Sequence, residues 1–178
     1  MSLPADLVEL IGSFSLTTSF VVDQHGRTAN PEGGSTGIGN ATDKRLLGAL
    51  RANSEVVLTS GRTARADQYR MPKSADLAIF TLQGVEELQL QPSGSQRLSV
   101  FGKGQATSFS EAITHLKNLG YQRIHVEFGL TGYKSISTMF DKVFLSSRSR
   151  SGLEAFVSEH SLTPTHQFDL GDLLVWAC

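Results

Sequence analysis

The sequence predicts an α/β fold with three layers, in which helices lie on both faces of a mostly parallel sheet and the last two strands form an antiparallel pair. Segments rich in β-branched and aromatic residues alternate along the chain with segments of helical periodicity. The segment "SFSEAITHLKNLG" at 108–120 begins with a capping box and ends at a glycine, and the terminal "FDLGDLLVW" has the pattern of two paired strands.

The composition is that of one domain spanning residues 1–178. With 39% hydrophobic residues among 178, the chain can build one core of ordinary size but not comfortably two. The formal net charge of −1 gives no overall positive field for nucleic acid or an anionic membrane, and no apolar run approaches the about 18 residues of a membrane span. We therefore expect no nucleic-acid partner and no membrane partner.

The cysteine and histidine content narrows the chemistry further. A single cysteine, Cys178, excludes an internal disulfide and a cysteine-based zinc site, and the N-terminus lacks the layout of a signal peptide, so we expect a cytoplasmic protein. The five histidines show no metal-ligand spacing, so we expect no metal. A Walker loop and a G-x-G-x-x-G after the first strand are both missing from the sequence.

The first elements are a strand, a long loop and a helix. "FSLTTSFVVD" at 14–23 predicts the strand, and the glycine-rich "QHGRTANPEGGSTGIGN" predicts the loop. Asn40 is a cap residue for a helix that we expect to end near Arg51. Its apolar face is formed by Leu46, Leu47 and Leu50.

The middle of the chain is rich in strands. The patterns predict strands at 55–59, 76–82 and 97–101, with "EELQL" as a weaker candidate between the last two, and "SGRTARADQYRMPKSA" as a loop after the first. The helix at 108–120 has the capping box Ser108 to Glu111 and closes on Gly120. Its apolar face is formed by Ile113, Leu116 and Leu119.

The last third alternates strands and helices. "RIHVEF" and "KVFLSS" predict strands, "GYKSISTMF" and "SGLEAFVSEH" predict helices, and "THQFDLGDLLVWAC" predicts the closing strand pair. In α/β sheets, ligands bind beyond the carboxyl ends of the strands, where loops lead into helices. Three loops of this kind are candidates for one shared ligand site.

The first candidate loop is "FGLTG", which follows the strand "RIHVEF". Gly129 and Gly132 would let the backbone approach a ligand closely, and the first turn of the next helix would present N–H groups to a phosphate. The same two glycines would also serve simply to turn the chain, and the sequence leaves both interpretations open.

The second candidate loop, "SGRTARADQYR", carries three arginines beside the hydroxyls of Ser60 and Thr63. Arginine suits phosphates, including the 2'-phosphate that distinguishes NADP from NAD. The alternative is a solvated surface loop in which Asp67 pairs with one arginine. The arginines are Arg62, Arg65 and Arg70.

The third candidate loop, "GRTANPEGGSTGIG", is longer than most loops inside compact domains. Loops of this length are usually lids, binding loops or disordered segments, and length alone does not decide among them.

Four blocks of the sequence, in the same order, resemble the pyrimidine reductases of riboflavin biosynthesis. They are "DQHGRTA" at 23–29, "GGSTGIGNATDKRLLGALRAN", "VVLTSGRTARADQY" and "GYQRIHVEFGLTGYKS", and the match extends from residue 14 to about 146. The resemblance implies a dihydrofolate-reductase-like fold and a reaction in which NADPH transfers hydride to the ribosyl carbon of an aminouracil that carries a phosphoribosylamino group. It also implies a homodimer, for which the terminal strands offer an edge.

The resemblance also assigns roles to individual residues. The substrate, a phosphoribosylamino-pyrimidine, would contact Ser35, Arg51, Met71 and Glu127. NADPH would contact Val22, Gly37, Thr63 and Asp67, with its phosphates wrapped by Gly129, Leu130, Thr131, Gly132, Tyr133, Lys134 and Ser135. We add Arg62 as a reader of the 2'-phosphate. For residues 60–67 and 127–135 to bind the same dinucleotide, the two segments must lie at the same end of the sheet. No residue is assigned as proton donor.

The chain departs from the family pattern at several of these positions. His25 and Asp23 replace an aspartate and a serine, Arg62 replaces a small residue, Leu130 replaces a proline, and Ser74 stands where a phosphate-binding arginine is expected. Lys73 or Arg70 would compensate for that arginine, and the ring of Phe128 would narrow the approach to the cofactor. Three hypotheses follow: the reductase of the riboflavin precursor, a reductase of another small carbonyl or imine with the same cofactor, and a non-enzymatic nucleotide-binding or assembly protein.

Overall fold

Eight strands form one sheet in the computed structural model, which describes residues 2–30, 34–35, 37–102 and 108–178. The strands are β1 (Leu16–Val21), β2 (Val56–Ser60), β3 (Asp76–Phe80), β4 (Leu98–Phe101), β5 (Ile124–Glu127), β6 (Lys142–Ser147), β7 (His166–Asp169) and β8 (Leu174–Ala177). Their order in the sheet is β4-β3-β2-β5-β1-β6-β8-β7. The pairs β1·β6, β2·β3, β2·β5 and β3·β4 are parallel, whereas β8 is antiparallel to β6 and β7. The predicted fold class is confirmed.

Six helices accompany the strands in the described part of the chain. They are α1 (Ala5–Gly12), α2 (Ala41–Ala52), α3 (Gly61–Ala66), α4 (Phe109–Asn118), α5 (Leu130–Ile136) and α6 (Arg150–Glu159), and a 3₁₀ turn at Ser137–Met139 follows α5. Within the same described ranges, no helix is long and apolar enough to cross a membrane.

By its internal contacts the chain divides into two compact units, and Met1–Leu50 with Asp141–Cys178 forms the first. In this unit Phe144 of β6 packs in a buried cluster with residues of α1, α2 and β8. Ser19 of β1 is the register partner of Phe144, and Phe20 is the next residue along β1. Because successive side chains of a strand alternate between faces, Phe20 points to the opposite face of the sheet from Phe144. On that face its ring centre lies 5.6 Å from that of Phe156 of α6. The strands of this unit are therefore covered on both faces.

The second unit, Arg51–Phe140, repeats this layering. Ala64 of α3 packs in a buried cluster with Leu77 and Ile79 of β3. Phe80, the next residue along β3, points to the other face, where its ring lies 4.6 Å from that of Phe109 of α4.

Two helix caps confirm the sequence signals. The Asn40 side chain accepts hydrogen bonds from the N–H groups of Thr42 and Asp43 at 2.9 Å each, and the Ser108 hydroxyl accepts one from Glu111 N–H at 3.2 Å. Gly120 follows α4 with φ +100°, a conformation that favours glycine.

Four features of the secondary structure differ from the sequence predictions. The helix α1 was not predicted; its Leu7 and Ile11 are buried one turn apart. The predicted loop after β2 contains α3, and "EELQL" forms turns rather than a strand. Leu119 was expected on the apolar face of α4 but is 57% exposed, because the helix ends at Asn118 and Leu119 belongs to its C-cap.

Candidate functional site

The carboxyl ends of β2 and β5 lie side by side in the second unit. In the parallel register Thr59 is the partner of Glu127, and the Thr59 hydroxyl donates a hydrogen bond to the main-chain oxygen of Glu127 at 2.8 Å. The helices α3 and α5 begin within three residues of these partners. Residues 60–67 and 127–135 therefore start from the same end of the sheet, as a shared site requires.

The start of α3 is built by a hydroxyl cap and a close backbone approach. Ser60 Oγ accepts a hydrogen bond from Thr63 N–H at 3.0 Å, and the Ser60 hydroxyl donates to Thr63 Oγ1 at 2.9 Å. A Cβ on Gly61 would lie 2.3 Å from Thr81 Oγ1, so a larger residue would displace the helix start. Thr63 is half-buried, and among the described residues its hydroxyl accepts from Ser60 but donates to no acceptor, so its proton is available to a ligand.

The start of α5 is open on one side and packed on the other. A Cβ on Gly129 would meet no atom within 4 Å, whereas one on Gly132 would lie 3.0 Å from Phe128 Cβ. Thr131 and Lys134 are exposed. The first-turn N–H groups of a helix have no intrahelical acceptor and favour anions. This arrangement fits the interpretation of "FGLTG" as a phosphate-binding turn.

Phe128 does not narrow this approach, contrary to the sequence expectation. Its side chain is buried, and its ring lies 4.0 Å from that of Phe109 of α4. The ring is therefore part of the packing beneath α5. Tyr133 is also buried, with its ring stacked on that of Phe140 at 5.7 Å, and Ser135 Oγ donates to the Gly132 carbonyl at 2.7 Å.

The three arginines of the α3 loop have different environments. Arg62 and Arg70 are exposed. Arg65 is engaged by the Glu87 carboxylate and by the carbonyl oxygen of Gly84. Arg62 is therefore better placed than Arg65 to reach a ligand phosphate. Asp67 is exposed and forms the C-cap of α3, with its N–H donating to Thr63 O at 3.0 Å.

Arg51, Glu127 and Tyr69 form a hydrogen-bonded network next to these helix starts. Arg51 Nε and Nη2 donate to Glu127 Oε1 and Oε2 at 2.8 and 2.7 Å, which gives a two-point ion pair. Arg51 Nη2 also donates to Tyr69 Oη at 2.8 Å, and the Tyr69 hydroxyl donates to Glu127 Oε2 at 2.6 Å. The Glu127 side chain is only 10% exposed and that of Arg51 27%. The sequence assigned two of these residues to substrate but did not predict their pairing.

The network keeps its members in defined charge states. Burial alone would raise the pKa of Glu127, but the hydrogen bonds and charge of Arg51 lower it below its ordinary value. Burial acts to lower the pKa of Arg51, but the hydrogen bonds and charges of Glu127 and Tyr69 together raise it above its ordinary value. Burial and the Glu127 charge raise the pKa of Tyr69. At neutral pH the network therefore consists of a carboxylate, a guanidinium and a neutral phenol.

His125 lies two residues before Glu127 on the same face of β5. Its side chain is fully buried, and Nε2 is 3.8 Å from Glu127 Oε1. Burial lowers the pKa of His125 to about 4, although the Glu127 carboxylate acts in the opposite direction, so the imidazole is neutral near pH 7. The sequence carries no signal for a role of His125 or Tyr69, since the alternation in "RIHVEF" indicates only that His125 and Glu127 share a face.

The remaining substrate and cofactor candidates are distributed over both units. In the second unit, Met71 is half-buried and packs against the cluster around Leu77. It lines an open groove with Arg70, Pro72, Lys73, Gln89, Gln91, Ser93 and Gln96. Ser74 is exposed.

In the first unit, Val22 is buried, and its N–H donates to Ser146 O at 2.8 Å. Ser35 O accepts from Ile38 N–H at 3.2 Å, and Gly37 has φ +86°. The long loop that carries Ser35 and Gly37 lies partly outside the described residues, at 31–33 and 36.

The turn after β1 is organised by Asp23 rather than by His25. Asp23 Oδ1 accepts from the N–H groups of His25 and Arg27 at 2.8 and 2.9 Å, and Oδ2 pairs with the Arg27 side chain at 2.8 Å. His25 is exposed. Over 2–30, 34–35, 37–102 and 108–178, no group of three or more His, Cys, Asp or Glu side chains has the geometry of a metal site.

The fold matches solved structures of pyrimidine reductases. No protein-family model and no curated protein matches the chain. A pyrimidine reductase-like protein from Corynebacterium diphtheriae is 16% identical with a TM-score of 0.66, over 98% of this chain and 93% of that one. A diaminohydroxyphosphoribosylaminopyrimidine deaminase/5-amino-6-(5-phosphoribosylamino)uracil reductase from Thermotoga maritima is 15% identical with a TM-score of 0.63, over 92% of this chain and 55% of that one.

A riboflavin biosynthesis reductase from Saccharomyces cerevisiae is 12% identical with a TM-score of 0.61, over 92% of this chain and 88% of that one. The chain thus spans about half the length of the two-activity Thermotoga protein and most of the length of the other two. At these identities the matches establish a shared fold. The chain has the dihydrofolate-reductase-like fold of the riboflavin-biosynthesis pyrimidine reductases, as the sequence resemblance predicts.

Proposed function

We propose that the protein is an NADPH-dependent reductase that acts on 5-amino-6-(5-phosphoribosylamino)uracil and reduces its ribosyl group to ribityl by hydride transfer. The main support is the position of three features at one end of the sheet. The helices α3 and α5 start just after Thr59 and Glu127, which are register partners in β2 and β5. The ion pair between Arg51 and Glu127 lies at the same end. This combination offers phosphate-binding helix starts beside an oriented guanidinium. The shared fold with reductases of this pathway supports the same conclusion.

The residues around α3 and α5 fit a dinucleotide. The open space at Gly129 and the first-turn N–H groups of Leu130, Thr131 and Gly132 suit a pyrophosphate. Tyr133, Lys134 and Ser135 complete this turn, with the Lys134 charge exposed. Thr63, Asp67 and Arg62 would contact the cofactor at α3, with Arg62 on the 2'-phosphate, and the family resemblance adds Val22 and Gly37 as further cofactor contacts. NADPH supplies the hydride when bound.

The substrate would be bound by Arg51, with Glu127 holding the guanidinium. Among the described residues, Arg51 uses Nε and Nη2 for its hydrogen bonds, which leaves the two N–H groups of Nη1 for an acceptor oxygen of the substrate. The lowered pKa of Glu127 makes it an anion at neutral pH, so it orients and does not supply a proton. Met71 and Ser35 would complete the substrate contacts.

Titration with NADPH followed by a turnover assay tests the proposal. We expect a dissociation constant below the millimolar range, and oxidation of NADPH when the aminouracil substrate is added. Absence of NADPH binding would remove every enzymatic interpretation and leave the non-enzymatic hypothesis. The non-enzymatic hypothesis treats Arg62 and Phe128 as marks of a degraded cofactor site. Because Phe128 is buried and does not obstruct the site, it no longer supports that hypothesis.

The second candidate is a reductase with the same cofactor and another small carbonyl or imine substrate. Exposed Ser74, where the resemblance expects a phosphate-binding arginine, favours it. Arg70 and Lys73 line the adjoining groove and would replace that arginine in the first candidate. NADPH binding without turnover of the aminouracil would favour the second candidate.

We further propose that residues 1–178 act as one reductase domain, that two copies form a homodimer, and that the protein is cytoplasmic. Light scattering during size-exclusion chromatography tests the oligomeric state. A mass of one chain, near 19.3 kDa, would contradict the homodimer.

A further inference from the structure

The Tyr69 hydroxyl joins the loop after α3 to the Arg51–Glu127 pair. It donates to Glu127 Oε2 at 2.6 Å and accepts from Arg51 Nη2 at 2.8 Å. The Arg51 guanidinium carbon also lies 4.8 Å from the centre of the Tyr69 ring, within cation–π range. Tyr69 therefore contacts both members of the ion pair, through its hydroxyl and through its ring.

The backbone fixes this position of Tyr69 strongly. Gln68 has φ +47°, a left-handed conformation that non-glycine residues seldom adopt, and it turns the chain back after α3. Tyr69 N–H then donates to Ala64 O at 2.8 Å, and the ring packs in the buried cluster with Ala64 and Leu77. A strained turn held by packing and hydrogen bonds is typical of a functionally constrained position.

Only two of the three guanidinium nitrogens of Arg51 donate hydrogen bonds to described residues. Glu127 accepts from Nε and Nη2, and Tyr69 Oη, itself 2.6 Å from Glu127 Oε2, accepts from the same Nη2. Nη1, on the opposite edge of the planar guanidinium, has no acceptor among the described residues. Removing the Tyr69 hydroxyl would remove one of the two acceptors at Nη2, and the guanidinium would be free to tilt toward other acceptors.

We propose that Tyr69 is a positioning residue, which fixes the plane of the Arg51 guanidinium so that Nη1 faces an acceptor oxygen of the substrate. Tyr69 itself does not contact the substrate in this arrangement. The substrate part of the inference rests on the proposed function, whereas the ordering of Arg51 by Tyr69 is independent of it.

The variant Tyr69→Phe tests the inference, with Tyr121→Phe as its matched control. The Tyr121 hydroxyl also donates to a carboxylate, that of Asp76, but at the amino end of the strands of the same unit. The protein comprising residues 1–178 is labelled with ¹⁵N, and solvent exchange of the Arg51 Nε–H is measured by NMR. We expect exchange to accelerate about tenfold in Tyr69→Phe and to stay unchanged in Tyr121→Phe, since only the first variant loses a hydrogen bond to Arg51.

The substrate KM and the NADPH dissociation constant are then measured for the same two variants, with the aminouracil as substrate. We expect Tyr69→Phe to raise the substrate KM about tenfold while the NADPH dissociation constant changes less than about twofold. The inference would be overturned if Tyr69→Phe left both the Arg51 Nε–H exchange rate and the substrate KM at their wild-type values. It would also be overturned if both variants changed these two quantities equally. If the wild-type protein does not turn over this substrate, the proposed function fails, and the exchange rates still decide whether Tyr69 orders Arg51.

A measurement on the wild-type protein keeps the inference testable if Tyr69→Phe does not fold. An ordered guanidinium gives distinct Nη1 and Nη2 resonances at low temperature, because rotation about its C–N bonds is hindered by the hydrogen bonds to Glu127 and Tyr69. We expect two resolved resonances for Arg51. A single averaged resonance would contradict the ordering.

Discussion

Gly132 of α5 lies directly against Phe128, close enough that a Cβ on Gly132 would be 3.0 Å from Phe128 Cβ and 3.1 Å from its ring. The ring in turn contacts Phe109, with ring centres 4.0 Å apart. The first turn of α5 is therefore held against the core on one side, while Gly129 faces open space.

Gly132→Ala and Gly129→Ala should separate these two roles. Because the Phe128 ring is buried against Phe109 and cannot easily move, we expect Gly132→Ala to lower the free energy of unfolding by about 1–3 kcal/mol. Gly129 has φ −70°, and a Cβ added there would meet no atom within 4 Å, so Gly129→Ala should leave stability nearly unchanged and weaken NADPH binding. Urea unfolding and NADPH titration of both variants check this. Equal stability losses would contradict the open approach at Gly129.

Thr63→Val should weaken NADPH binding about fivefold to tenfold, because it removes a hydroxyl donor at the start of α3. The matched variant is Ser60→Ala, which removes the cap hydroxyl that accepts from Thr63 N–H at 3.0 Å. Ser60→Ala should lower the free energy of unfolding by about 1 kcal/mol. Calorimetric titration with NADPH decides the question: unchanged affinity in Thr63→Val would count against assigning the cofactor to α3.

Local signals in the sequence were sufficient for most of the fold. The alternation of residue types predicted the strands, and cap residues such as Asn40 and Ser108 predicted where two helices start, because these signals depend on hydrogen bonds within a few residues. The helix α3 was missed although Ser60 is followed by Thr63 at cap spacing, since a helix of six residues with two charged side chains has little periodicity.

The site could be predicted only in part. The sequence indicated that the loops after β2 and β5 lie together, because carboxyl ends of parallel strands share one edge. It did not indicate that Arg51 and Glu127 pair, since they are 76 positions apart, or that Tyr69 joins them from 58 positions away. The buried ring of Phe128 depends likewise on Phe109, which belongs to another helix.

Arg62→Ala should reduce the preference for NADPH over NADH, because Arg62 is exposed beside α3 and a guanidinium suits the 2'-phosphate. Arg65→Ala is the control. Arg65 is already engaged by Glu87 and Gly84 O, so its removal should affect stability more than cofactor preference. The ratio of dissociation constants for the two cofactors is the measurement. An unaltered ratio in Arg62→Ala would move the role to another residue.

Arg51→Gln should destabilise the protein more than Arg123→Gln. The first variant leaves the Glu127 carboxylate, 10% exposed, without its charged partner, and we expect a loss of about 1–3 kcal/mol once solvent screening at Arg51 is allowed for. Arg123 is 49% exposed and lies 3.4 Å from Glu55, so its loss should be below about 1 kcal/mol. Urea unfolding at neutral pH measures both. Similar losses would show that the Arg51 pair is no stronger than a surface pair.

His125 should make the folded protein sensitive to acid in a defined window. Its pKa is lowered from 6.5 to about 4, chiefly by burial, so between these values the unfolded chain binds a proton that the folded chain does not. Stability therefore falls as pH falls through this window, with a slope of up to about 1.4 kcal/mol per pH unit. The pKa of Glu127 is below its ordinary 4.5, so its own contribution is lost only at still lower pH. Unfolding in urea from about pH 7 to 4.5 covers the part of this window that lies above the ordinary pKa of Glu127.

The variant His125→Asn should flatten this dependence, because a neutral amide replaces the imidazole on β5. His115→Asn is the control, since His115 is also a histidine but is exposed on α4. We expect the slope of the unfolding free energy between about pH 6.5 and 4.5 to shrink in His125→Asn and to persist in His115→Asn. If both variants keep the wild-type slope, another group binds the proton, and the buried imidazole beside Glu127 is not what couples folding to pH.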